Sequence, residues 1–404
     1  MLVEIILFIF FGIIFGTLTG LIPGIHINLV GVSLVALSAS LLSSVNPIYL
    51  VVFISSMAIT HTFIDFIPSI FLGCPDTDTE LSVLPGHELL KKGQGYQAII
   101  LTCYGSLAAI FILVLIAFPS IFLISKTYGF LQKIIPYLLI LVSFLLISLE
   151  RKKFKAVVVF LLAGFLGLIV LNLDSGASFF ILKEPLLPLL TGLFGASMLV
   201  TSIQTKTKIP KQKITKPKIK KNLLSPLLGA IIASPFSSFL PGLGSGQAAI
   251  IGNTISRTDR KGFLVLLGAT NTLVMGFSFV SLYIISRTRT GAAVAIQKII
   301  GEFSWKILVL ILSTALISGI VAFFLTIFLA RFFSKRIDKM NYSKLSLITL
   351  IILTIIILLV SNIFGLIVLI ISTLTGIYCI SLGVRRTNMM GCLLIPTIVF
   401  YLLP

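Results

Sequence analysis

Gly20-Leu21-Ile22-Pro23-Gly24-Ile25-His26 in the first half of the chain has a counterpart in the second half, Ser238-Phe239-Leu240-Pro241-Gly242-Leu243-Gly244. Each is a Pro-Gly pair set into an apolar run. Proline removes a backbone donor and glycine admits left-handed conformations, so a helix is expected to break at such a pair. About forty residues after the first comes Thr60-His61-Thr62, and about thirty after the second comes Thr270-Asn271-Thr272. The offsets between the paired motifs are 218 and 210, so the connection is shorter in the second half. The pattern predicts an internal repeat built around two broken helices.

The chain of 404 residues is 57% hydrophobic and 11% charged. A soluble domain carries about 25% charged residues, because its surface faces water. The composition therefore points to a polytopic integral membrane protein. About a dozen stretches approach the roughly 20 apolar residues that a spanning helix needs. Runs such as Leu345 to Val360 are apolar on every face, which excludes the alternation of a membrane β-barrel and predicts an all-α fold. The apolar N-terminal stretch has no Lys or Arg before Lys91, lacks the basic start of a cleavable signal, and reads as a retained span.

The net charge of +19, from 31 basic and 12 acidic residues, would suggest polyanionic partners in a soluble protein. Here its placement decides its meaning. Lys206 to Lys221 holds eight lysines, two prolines and no acid, and predicts a flexible cytoplasmic linker. It divides the chain into a first repeat (1–205), a linker (206–222) and a second repeat (223–404). After the broken hairpin and the Thr-x-Thr segment, four spans are expected in each half. They fall at 96–124, 134–149, 155–172 and 180–202, then at 306–330, 345–361, 363–382 and 388–403. In the first half the basic loop (Arg151, Lys152, Lys153, Lys155) lies between the second and third of these helices. In the second half that connection is the uncharged Ser361-Asn362-Ile363, and the basic loop (Arg331, Lys335, Arg336, Lys339, Lys344) comes one helix earlier. Such a shift is what two repeats of inverted topology produce. With the linker inside, residues 87–92, 150–155, 206–221, 257–261, 331–344 and 385–386 collect 24 basic residues and 4 acids, leaving 7 and 8 elsewhere. Both termini then lie outside, in a multi-pass protein of the cell membrane.

Inverted repeats with broken helices mark secondary transporters, whose sites form where unwound backbone is buried away from lipid. Residues just after each break would begin a half-helix, with amide N–H groups and a positive dipole end suited to an anion. The expected substrate-binding residues are Pro23, Gly24, His26 and Asn28 in the first repeat, and Pro241, Gly242, Gly244, Ser245, Gly246, Gln247 and Asn253 in the second. Thr60, His61, Thr62, Thr270, Asn271 and Thr272 supply hydroxyl, imidazole and amide groups for a coupling ion, or they act as interhelical glue. Asp65 follows His61 by four residues, on the same helical face, and an ionisable group in a membrane is functional by default. The acidic run Cys74-Pro75-Asp76-Thr77-Asp78-Thr79-Glu80 has the repeat-mate Ile285-Ser286-Arg287-Thr288-Arg289-Thr290. Asp76 and Asp78 would hold cations, and Arg287 and Arg289 would line an anion's entrance, unless both are solvated loops at the membrane edge.

Enzyme chemistry finds no support. His87-Glu88-Leu89-Leu90-Lys91 ends in lysine where a zinc protease motif needs histidine, and there is no nucleotide-binding phosphate loop. Cys74, Cys103, Cys379 and Cys392 lack metal-ligand spacing, so neither a metal nor a cofactor is expected beyond a Na+ or H+ coupling ion.

At these residues the chain resembles the TctA family, the large membrane subunit of tripartite tricarboxylate transporters. The resemblance is carried by the duplicated Pro-Gly motifs. It is also carried by Pro85-Gly86-His87-Glu88-Leu89-Leu90-Lys91-Lys92-Gly93-Gln94-Gly95, similar to that family's GYPMAKKGxAG region, and by Gly383-Val384-Arg385-Arg386 through Leu394-Ile395-Pro396-Thr397. It spans essentially the whole chain. It implies uptake of small carboxylates by cation-coupled alternating access, with a small membrane subunit and an extracytoplasmic binding protein as partners, and it is compatible with a homodimer. The chain departs from the family in being shorter, in carrying acids at Asp76, Asp78 and Glu80 where the family has small neutral residues, and in His26 where many members have a small residue. Half-helices after Pro-Gly pairs equally suit a lipid phosphate, so a polyprenyl-phosphate carrier transporter is the alternative. Nucleic acid is not an expected partner.

Overall fold

A computed structural model describes residues 2–22, 45–73, 79–148, 150–172, 185–204, 209–217, 223–239, 244–286, 288, 290–339 and 341–402. Of the expected site residues, Pro23, Gly24, His26, Asn28, Asp76, Asp78, Pro241, Gly242, Arg287 and Arg289 lie outside these, as does the side chain of Gln247. The described residues are all-helical, without a strand, and eight of their helices are long and apolar enough to cross a membrane. In hydrocarbon a backbone must satisfy its own polar groups, which helices do and open strands do not. The protein is a polytopic, all-α membrane protein.

The helices are α1 (Leu2–Leu21), α2 (Pro47–Ile64), α3 (Phe66–Phe71), α4 (Val83–Lys91), α5 (Gly95–Ser148), α6 (Lys153–Leu171) and α7 (Leu186–Gln204). After the linker come α8 (Leu224–Phe239), α9 (Ser245–Ser256), α10 (Arg260–Ile285), α11 (Gly291–Ile300), α12 (Trp305–Ser334), α13 (Tyr342–Ser381) and α14 (Gly391–Leu402). Segments 210 residues apart carry like elements. The short α4 corresponds to α11, and α5 begins at Gly95 as α12 begins at Trp305. The run α2–α3 corresponds to α10. The two compact units each draw on both halves of the sequence. The first includes Met1–Ser125, Lys208–Phe239 and Gly244–Asn341; the second includes Lys126–Thr207 and Tyr342–Pro404.

In the first unit small residues bring helix backbones together. A Cβ at Gly12 would lie 2.6 Å from the Phe53 carbonyl, and one at Gly16 would lie 2.5 Å from the Met57 carbonyl, so α1 and α2 touch along their backbones. Ser56 Oγ donates to the Ile9 carbonyl at 2.9 Å across the same seam. At the 218 offset the stripe Gly12, Gly16, Gly20 becomes Ala230, Ser234, Ser238 on α8, where the Ser238 hydroxyl is shared between the Ser234 carbonyl at 3.0 Å and the Val274 carbonyl of α10 at 3.1 Å. Without a hydrophobic drive between helices in lipid, such small-residue contacts and interhelical hydrogen bonds are the main source of packing. α5 and α10 approach in the same manner: a Cβ on Gly105 would collide with the Val265 carbonyl, and one on Gly268 with the Thr102 carbonyl.

In the second unit Glu150 is buried, and its Oε1 accepts from the Arg385 backbone N–H at 3.0 Å and from Asn388 Nδ2 at 3.2 Å. Gly164 and Gly167 of α6 let α14 approach at Ile395 and Cys392. Within α7, Thr191–Ala196 forms a π-helical turn, and the Arg386 guanidinium donates to the Phe194 carbonyl inside it.

Two expectations need correction. Spans at 96–124 and 134–149 were predicted as separate helices, but α5 runs unbroken from Gly95 to Ser148. Hydropathy dips around Lys126 and Lys133, yet polarity alone does not end a helix, and a lone Gly129 costs only about 1 kcal/mol. Asn362 does separate two expected helices: with φ 54° it breaks α13, and its side chain accepts from the Phe364 N–H at 3.0 Å to start the next helix. The linker was predicted to be flexible. Residues 209–217 are instead docked on the first unit, with Gln212 buried and bonded to Gly95 and Leu90. The helix N-terminus at Gly95 offers an amide that needs an acceptor, and the Gln212 side chain supplies it.

The packing predicts that Gly268→Val lowers stability by about 1–3 kcal/mol through overpacking against Thr102. Gly129→Ala, with nothing within 4 Å of the new methyl, should hold or raise stability. Thermal unfolding of the detergent-solubilised variants measures both.

Candidate functional site

α2 starts cleanly: Asn46 accepts from the Ile48 N–H at 3.0 Å, and Pro47 takes the first turn, where a missing N–H costs nothing. α10 starts on Asp259, whose carboxylate accepts from the Gly262 N–H at 2.8 Å. These caps set the register that carries Thr60, His61 and Thr62 to the end of α2 and Thr270, Asn271 and Thr272 to the middle of α10. All six are buried.

The structure brings most of these residues together. Thr62 Oγ1 lies 3.1 Å from Thr272 Oγ1, a contact between residues 210 apart. The single hydroxyl proton of Thr62 goes to the Ile59 carbonyl at 2.8 Å, so Thr272 is the donor between them. Asn271 Nδ2 donates to Asp65 Oδ2 at 2.8 Å and lies 3.4 Å from the Thr62 carbonyl. Asp65 is buried at the junction between α2 and α3, with its backbone N–H on the His61 carbonyl at 3.0 Å. Two helices from opposite halves of the sequence thus meet through a carboxylate, an amide and two hydroxyls.

His61 Nδ1 lies 3.1 Å from Thr19 Oγ1 on α1. Thr19 Oγ1 also lies 3.2 Å from the Gly16 carbonyl, so this hydroxyl joins the α1 backbone to the His61 ring. Thr60 Oγ1 is buried and has no hydrogen-bond partner among the described residues, whereas its counterpart Thr270 donates to the Leu266 carbonyl at 2.7 Å.

At the second Pro-Gly, α9 opens at Ser245, with Gly244, Ser245 and Gly246 buried. The first amides of a helix have no acceptor within the helix itself. Asn253 sits at the other end of α9. Its side chain accepts from the Thr258 hydroxyl at 2.6 Å and the Thr258 N–H at 3.2 Å, closing the turn into α10, so the structure does not bring it to Ser245.

Sequence patterns did not single out Thr19, Ser69 or Ser278. Ser69 Oγ lies 2.6 Å from Thr79 Oγ1, and Ser278 Oγ lies 2.8 Å from Thr290 Oγ1. Each pair ties one side of the acidic or basic loop to the other, and the matching hydroxyls at near-equivalent positions of the two halves were the available signal.

A sequence model of the tripartite tricarboxylate transporter TctA family matches residues 6–391. The chain belongs to that family. An uncharacterized protein of Methanocaldococcus jannaschii is 33% identical over 410 residues, covering 98% of this chain and 99% of the relative. No solved structure matches. The TctA family is one of transporters, and its members form the large membrane subunit of tripartite systems. This chain is accordingly a tricarboxylate transporter component and a multi-pass membrane protein.

Within this TctA protein, Asp65 and Asn271 should be energetically coupled. Asp65→Ala and Asn271→Ala are each expected to destabilise by about 1–3 kcal/mol, because each leaves a buried polar group short of a partner. The double variant should fall short of the sum by at least ~0.5 kcal/mol in thermal unfolding; strict additivity would remove the pair from the site.

Proposed function

We propose that this TctA protein imports a small organic carboxylate by alternating access coupled to Na+ or H+. It would act with a small membrane subunit and an extracytoplasmic binding protein. The observation that carries the proposal is the buried Asp65–Asn271 hydrogen bond beside the Thr62–Thr272 contact.

A residue can touch its own repeat-mate only near the axis that relates the repeats. Thr62 and Thr272 therefore fit two repeats of inverted topology, 1–205 and 223–404, whose crossing helices are α2 and α10. A carboxylate buried at such a crossing is costly when charged and uncompensated. A cation or proton arriving beside Asp65 removes that cost, so occupancy changes which conformations are accessible. The oxygens of Asp65, Thr60, Thr62 and Thr272 suit a hard cation such as Na+ better than a soft transition metal. The substrate carboxylate would be received at the start of α9 by Gly244, Ser245, Gly246 and Gln247, joined by their first-repeat counterparts Pro23, Gly24, His26 and Asn28.

The linker is assigned to the cytoplasm and both termini to the outside of the cell membrane. The loop contacts support that arrangement. Glu88 pairs with Arg260, and the linker residues 212–215 bond to residues 90–97, so three loops expected on one side meet within the first unit. Glu150 and Arg385, also expected on that side, meet within the second.

The test is gradient-driven uptake of labelled citrate in proteoliposomes that hold the complete tripartite system. Wild type should accumulate citrate when a Na+ or pH gradient is imposed. Asp65→Asn should lose that accumulation at least ten-fold while retaining citrate exchange at equal ion concentrations. Unchanged gradient-driven uptake in Asp65→Asn would remove Asp65 from coupling.

A further inference from the structure

Residues 209–217 have no regular secondary structure, yet one side chain fixes them against the turn between α4 and α5. Gln212 Oε1 accepts from the Gly95 N–H at 2.8 Å, and Nε2 donates to the Leu90 carbonyl at 3.1 Å. Beside it, the Lys213 N–H donates to the Gly93 carbonyl at 2.7 Å, and Gln97 Nε2 donates to Thr215 Oγ1 at 2.6 Å. Gly93 has φ 73°, and a Cβ there would stand 2.8 Å from the Lys211 carbonyl. The turn is thus shaped to receive this strap.

Docking has a consequence for charge. With Gln212 turned inward, Lys211, Lys213 and Lys216 are exposed, and so are Lys91 and Lys92 on the other side of the same hydrogen bonds. Acids in the adjoining segments are engaged elsewhere: Glu88 pairs with Arg260, and Asp259 caps α10. Among the described residues none of the five lysines has an ion pair. Two candidate spans start beside this surface, one at Gly95 and the other at Arg260, which puts it at the level of lipid headgroups. A loop that merely keeps charge on one side of the membrane would need neither a buried glutamine nor a fitted turn.

We infer that the Gln212-anchored strap and the end of α4 form a docking surface for anionic phospholipid headgroups, with Lys91, Lys92, Lys211, Lys213 and Lys216 as its cations. Lysine clusters beside a span attract the phosphodiester groups of an anionic leaflet, and a fixed cluster does so at one place. Bound there, lipid would hold the linker, and through it the entry to α8, on the first unit.

The experiment is native mass spectrometry of the purified full-length protein in neutral detergent, titrated with phosphatidylglycerol against phosphatidylcholine. The preference for phosphatidylglycerol should fall about ten-fold in Lys211→Gln/Lys213→Gln/Lys216→Gln. It should survive in Arg331→Gln/Lys335→Gln/Arg336→Gln, which removes the same charge from another basic loop. Gln212→Ala, which keeps every lysine but releases the strap, should weaken the preference as well. An undiminished preference in the strap variant, or an equal loss in the control variant, overturns the assignment. Displacement of bound phosphatidylglycerol by millimolar inorganic phosphate would also overturn it, since the surface would then serve a soluble anion.

Discussion

Thr62 and Thr272 hydrogen-bond to each other across 210 residues, buried where the end of α2 meets the middle of α10. Polar atoms at that depth have no water to turn to, so each must find a partner inside the protein. The partners found here come in an interlocking set. Thr62 takes the proton of Thr272, Asn271 reaches Asp65, and His61 reaches Thr19 on the next helix. Each bond constrains the rotation of α1, α2 or α10 about its axis, and together they leave α2 and α10 one way to cross.

Close backbone approach is what lets short side chains make these bonds. Gly16 admits the Met57 backbone and Thr60, and one turn further along α1 Thr19 then lies within reach of His61. Gly268 lets α10 settle against Thr102 of α5, two to four residues before the Thr270–Thr272 segment. The serines and glycines of α1, α8 and α10 are therefore the supports of the polar crossing, and the chemistry proposed for Asp65 depends on them although none would touch an ion.

Much of this was legible in the sequence, for physical reasons that differ from residue to residue. The uncharged Ser361-Asn362-Ile363 announced the break at Asn362. A helix was expected to begin just after the second Pro-Gly, and α9 opens at Ser245. What stayed hidden depends on tertiary partners. Hydropathy could not reveal that α5 continues through Lys126 to Lys133, since a helix tolerates a polar turn that a membrane span does not. Gln212 is one uncharged residue in a lysine run, and only the unfilled amide at Gly95 explains its burial. Asn253 was expected near a substrate, and in the structure its side chain, in the last turn of α9, holds Thr258.

α2 and α10 meet at the equivalent residues Thr62 and Thr272, and the proposed alternating access requires this crossing to rearrange. Disulfide trapping tests it most directly. Thr62→Cys/Thr272→Cys, made in a chain whose four native cysteines are replaced by alanine, should cross-link within single chains on mild oxidation. Citrate uptake should stop on cross-linking and return on reduction. Failure to cross-link, or uptake undiminished by a complete cross-link, would contradict the account.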